Sequence, residues 1–147
     1  MTWPTVFALH YAATLFMTGV IWVVQVVHYP LFARVGAGGY PAYQQAHVRL
    51  IALVVTPVML AELATAVAWA AAFAKRGPAG APWVNLAGLA VIWASTALLQ
   101  VPAHERLAEA FDPGAHRRLV DTNWIRTIVW SARAVGLTCL AWRGWGR

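Results

Sequence analysis

Four residues near the end of the chain, Asn123, Arg126, Trp130 and Arg133, follow one another at steps of three, four and three. On a helix that spacing puts two guanidinium groups, an amide and an indole on one face. Guanidinium groups hold oxyanions, and an Arg with an amide beside it suits an anionic or enolate-like oxygen. Histidines supply the complementary chemistry, the taking and giving of protons near neutral pH. The chain has five of them, and His28, His47, His104 and His116 all fall near the ends of apolar runs. His116 adjoins Arg117 and Arg118 and reads as a surface residue. No H-E-x-x-H, C-x-x-C or paired E-x-x-H spacing occurs, so metal ligation has only the histidines to rest on.

These residues must be positioned by elements that are overwhelmingly apolar. Of 147 residues, 61% are hydrophobic and 11% charged, with a mean hydropathy of +0.59. A soluble domain needs more polar surface, so the composition predicts an integral membrane protein whose first partner is the lipid bilayer. The nine Trp suit the same class. The net charge of +6 comes from dispersed basic residues, with no recognition helix or basic tail, which argues against nucleic acid. A single Cys139 excludes an intrachain disulfide and reads as a small packing residue. The opening MTWPTVFALHY lacks a basic n-region and reads as a retained first span.

Four apolar stretches, roughly 4–33, 46–74, 83–108 and 116–143, predict one all-α domain, an integral membrane up-down four-helix bundle. The breaks are RVGAGGYPAY, KRGPAGAP and the charged segment 105–118, read as a solvated loop. Ala64, Ala68 and Ala72 form a small-residue seam that would admit a neighbouring helix or a second copy of the chain. Pro57 and Pro102 each remove a helix bond and predict an irregular interior. Basic residues are almost evenly divided between the two sides, with Lys75, Arg76, Arg143 and Arg147 favouring cytoplasmic termini.

Antiparallel neighbours bring His28, His47, His104 and His116 to one membrane face. At ~1.5 Å per residue, Gln25, Gln100 and Arg126 lie ~12 Å below it, and Glu62, Arg133 and His10 lie ~22 Å below. The expected arrangement is a buried Glu62–Arg133 pair with His10 nearby, beneath a cavity lined by His28, His47, His104, Gln25, Gln100, Asn123 and Arg126. The two arginines cost ~2.5–3.5 kcal/mol each on insertion scales, so their stripe, Trp130 included, should face the interior.

The segments LLQVPAHERLAEAFD and RRLVDTNWIRTIVWSARA, with HYPLF, QQAHVRLI and VTPVMLAEL, resemble small four-span bacterial membrane proteins of the anthrone-oxygenase-like superfamily. The Q-x-P-x-H and T-N-W-I-R-T-x-x-W-x-x-R patterns carry most of the match. The resemblance implies residence in a bacterial cytoplasmic membrane and oxidation of a small aromatic substrate by O2 without metal or flavin. His104 or His28 would act as base, and Arg126 with Asn123 would hold the enolate oxygen. Two other readings fit the residues: a non-catalytic site for a lipid or small molecule, and a haem or copper site on His28, His47 and His104.

Overall fold

The computed structural model describes residues 3–74 and 80–144, and within them every regular element is helical. Four rods follow in order: α1 (Pro4–Arg34), α2 (Tyr40–Ala74), α3 (Gly80–Glu109) and α4 (Pro113–Trp142). Three of them, α1, α2 and α3, are long and apolar enough to cross a membrane. The fourth is 30 residues long and carries Arg117, Arg118, Asp121, Arg126 and Arg133.

The rods pack in a ring, α1 against α2 and α4, and α3 against the same two. Chain neighbours run antiparallel. Near the start of α1, His10 meets Thr65 late in α2, while at its far end His28 meets His47 early in α2. Met17, Ile21, Leu89, Ile92, Leu119 and Trp130 fill the centre, and Leu53, Val84, Leu98 and Val135 stand on the outside, each more than 60% exposed. An outer surface this apolar suits acyl chains better than water.

Several boundaries differ from the sequence expectation, for local reasons. α2 starts at Tyr40 rather than near 46 because Pro41 sits in its first turn, where proline has no helix bond to lose. The segment 105–118 is mostly helix. Asp112 caps α4, its Oδ1 accepting from the Gly114 and Ala115 backbone N–H at 2.7 and 3.2 Å, so only residues 110–112 link α3 to α4. The expected alanine seam is exposed, and Ala66 and Ala70 are the buried pair instead. Glu62 decides this: it is fully buried, and Ala64, two residues on, lies ~200° around the helix from it. Cys139 is also exposed. The turn with Lys75 and Arg76, and the terminal Arg147, lie outside the described residues.

Two wide turns interrupt the α-helical pattern. In Val24–His28 the Tyr29 N–H reaches back to the Val24 carbonyl, and in Thr96–Gln100 the Val101 N–H reaches back to Thr96. Each π turn precedes a proline, Pro30 or Pro102. A proline ring has no N–H and crowds the carbonyl four residues earlier, so the preceding turn opens and takes up one extra residue. Pro57 by contrast lies within continuous α2.

Candidate functional site

The polar groups fall into two layers. In the deeper one, Glu62 Oε1 accepts from Arg133 Nη1 at 2.6 Å and from Thr14 Oγ1 at 2.7 Å, and Oε2 accepts from Trp130 Nε1 at 3.2 Å. Arg133 Nε donates to Asn85 Oδ1 at 2.6 Å, which fixes that amide. Asn85 Nδ2 then faces His10 Nε2 at 2.8 Å, so Nε2 accepts and the ring hydrogen sits on Nδ1. Nδ1 donates to Thr65 Oγ1 at 2.9 Å, and Thr65 donates to the Ala61 carbonyl at 2.7 Å. The chain ends on backbone. His10 is thus neutral and three hydrogen bonds removed from the Glu62 carboxylate, and the layer acts as a clamp joining all four rods. Gly88 makes room for it: a Cβ there would stand 3.0 Å from Arg133 Cδ and 3.3 Å from Cγ.

The shallower layer is built on Arg126. Its Nε and Nη2 donate to Asn123 Oδ1 at 2.9 and 2.5 Å, Nη1 to Thr96 Oγ1 at 3.3 Å, and Nη2 to Tyr29 Oη at 3.3 Å. Asn123 in turn donates to Gln25 Oε1 at 2.7 Å. Among the described residues Arg126 has no carboxylate partner, the Glu62–Arg133 pair being the ion pair found. Its charge is met by dipoles alone, and dipoles leave it able to attract a further oxygen.

Above Arg126 the imidazoles converge around Phe32, which is fully buried, with its ring 5.2 Å from that of His28 and 5.0 Å from that of His47. His28 Nε2 and His47 Nδ1 share a hydrogen bond of 2.9 Å. Gln44 Nε2 lies 2.6 Å from His104 Nδ1, so that nitrogen accepts and His104 Nε2–H donates to Tyr29 Oη at 2.9 Å. The Tyr29 oxygen therefore receives two N–H groups, from His104 and Arg126. Both its lone pairs are engaged, and its own hydroxyl hydrogen has no protein acceptor among the hydrogen bonds of the described residues. His116, expected at the surface, instead donates through Nε2 to the Tyr29 carbonyl at 2.8 Å.

Tyr29 lines a cavity of about 270 Å³ between the rods. Its apolar wall includes Met17, Ile21, Ile51, Val55 and Met59, and its polar end His47, Thr96, Gln100, His104 and Arg126, with Trp130 below. Three buried polar atoms on lining residues lack partners: His47 Nε2, Gln100 Oε1 and Trp93 Nε1. Buried polar atoms are nearly always paired, so three around one cavity mark a place where a bound molecule would complete them.

No family model, curated protein or solved structure matches the chain.

Of the residues singled out in the sequence, the structure places His47, His104, Gln100, Arg126 and Trp130 on the cavity wall. His28, Gln25 and Asn123 stand behind it, each bonded to a lining residue or its neighbour. His10, Glu62 and Arg133 form the clamp. Tyr29, Gln44, Asn85 and Thr65 complete the two layers and were not anticipated. Among the described residues no group of three or more His, Cys, Asp or Glu is placed to hold a metal, and His28 and His47 each spend a ring nitrogen on the other.

Proposed function

We propose that the chain is a four-span bundle of a bacterial cytoplasmic membrane, and that its central cavity is the site of an oxygenase-like enzyme acting on a small apolar or aromatic substrate. α4 supplies the fourth span, with Arg126 and Arg133 turned inward and matched by polar partners as the bilayer requires. The observation that carries the reading is the Tyr29 hydroxyl, held by His104 and Arg126 with its own hydrogen free beside the cavity.

A substrate with a methylene conjugated through its aromatic rings to a ketone would set its carbonyl oxygen against Tyr29, with the Arg126 charge behind it. The negative charge that develops on that oxygen as the methylene loses a proton is then stabilised in a dry site. His47 is the base the geometry favours. In the tautomer that gives Nδ1–H to His28, its unpartnered Nε2 is a bare acceptor, whereas both His104 nitrogens are engaged. The electron-rich enolate reduces O2, and the methylene becomes a carbonyl: CH2 and O2 give C=O and H2O. The similarity to the anthrone-oxygenase-like superfamily supports the same chemistry, and a reaction of this form draws on no metal or flavin.

The test is oxygen uptake by the protein in lipid nanodiscs with anthrone as substrate. Tyr29→Phe and His47→Ala should each lower kcat by about 100-fold, the scale for losing an oxyanion donor or a base. Turnover that survives both substitutions overturns the reading. A molecule that co-purifies in the cavity and is never turned over would make it a binding or transport site instead.

A further inference from the structure

A second site lies at the other end of the molecule, between α3 and α4. There a groove of about 480 Å³ runs along Val84, Gly88, Ala132, Gly136 and Leu140, with Arg133 and Asn85 in its wall. It is open at Gly136, where a Cβ would meet nothing within 4 Å. Arg133 is only 7% exposed. Its Nε and Nη1 serve Asn85 and Glu62, while its Nη2 is buried without a partner. A guanidinium N–H left unpaired in an apolar setting loses its hydration and gains nothing for it. The clamp described above does not use it.

The chemistry of the missing partner can be narrowed. The Arg133 charge is already matched by Glu62 at 2.6 Å, so an anion arriving at Nη2 would leave an uncompensated negative charge in a low-dielectric medium. A neutral carbonyl oxygen takes the same N–H without that cost. Depth narrows it again. The middle of α4 (Pro113–Trp142) falls near Ile128, which puts Arg133 ~8 Å from the centre of the helix. Glycerolipid esters sit at the edge of a ~30 Å hydrocarbon core, ~15 Å from its centre, too shallow to reach. The ligand must carry its carbonyl into the hydrocarbon itself. Gly88 on α3 and Ala132 and Gly136 on α4 carry little or no side chain, and walls this low suit a flat ring.

We infer that the α3–α4 groove binds a neutral, planar, carbonyl-bearing apolar molecule of the quinone class, with its carbonyl on Arg133 Nη2. This rests on the membrane placement proposed above and not on catalysis in the central cavity.

The probe is 2-methyl-1,4-naphthoquinone, measured by equilibrium binding to the full chain in nanodiscs, with 2-methylnaphthalene as the ring without carbonyls. The quinone should bind saturably and the hydrocarbon about tenfold or more weaker, the worth of one hydrogen bond to a charged donor. Gly136→Leu fills the groove without touching the clamp and should abolish quinone binding. Ala132→Phe, on the same wall, should do likewise and carries the test if the first variant fails to fold. Ala52→Phe, which fills the central cavity, should leave quinone binding intact while stopping oxygen uptake. Equal binding of the hydrocarbon, binding that persists with the groove filled, or loss only with Ala52→Phe would each overturn the inference.

Discussion

Replacing Glu62 by Gln removes the one carboxylate that faces Arg133. Both side chains are buried, at 0% and 5% exposure, and meet at 2.6 Å. The glutamine oxygen can still receive Arg133 and Thr14, but its NH2 then points at Trp130 Nε1, which donates to the other carboxylate oxygen. The guanidinium keeps its charge and loses its counter-charge. Breaking a buried pair from one side costs about 3–5 kcal/mol, and removing both ions together costs far less because no lone charge is left. The cycle is therefore Glu62→Gln, Arg133→Met, the double variant and the parent, each unfolded by SDS titration in mixed micelles. The double variant should be more stable than the sum of the single losses by about 2 kcal/mol or more, within the range for directly contacting groups. A single-variant loss under about 1 kcal/mol, or losses that simply add, would refute the clamp as the tie between the rods.

Two further substitutions probe the same layer. Gly88→Ala should destabilise by about 1–3 kcal/mol in the same titration, since the new methyl meets an arginine stem whose head is pinned at two points; the penalty should vanish when Arg133 is also shortened to Ala. Asn85→Ala should release His10 from its Nδ1–H tautomer, seen as altered ring-nitrogen chemical shifts, and cost about 1–3 kcal/mol for the donors and acceptors left unpaired.

Much of the clamp was legible in the sequence because it depends on two things a regular helix preserves, face and depth. The three-, four-, three-residue steps of Asn123, Arg126, Trp130 and Arg133 put all four inside, and counting residues from one membrane face brought Glu62 level with Arg133. Asn85 was not legible. Beside Trp83 it looks like a residue at a helix start, and its role exists only because Gly88 lets α4 come close. The alanine rows of α2 show another limit. Both Ala64/Ala68 and Ala66/Ala70 are four residues apart, and only the neighbour on Glu62's side selects between them. Tyr29 escaped for a different reason: its direction follows from a π turn, and a 3.6-residue period laid across that turn points it the wrong way.

That last point reaches beyond one tyrosine. A regular helix advances ~100° per residue, so closing the wide Val24–His28 turn into α-helix with its residues all kept would swing everything from Tyr29 to Arg34 about a quarter-turn around the rod. The straightened chain would be as helical, as apolar and as able to cross a bilayer as before. Its phenol would nevertheless leave His104 and Arg126 unattended. In this protein the width of one turn, and not only the letters in it, is part of the chemistry.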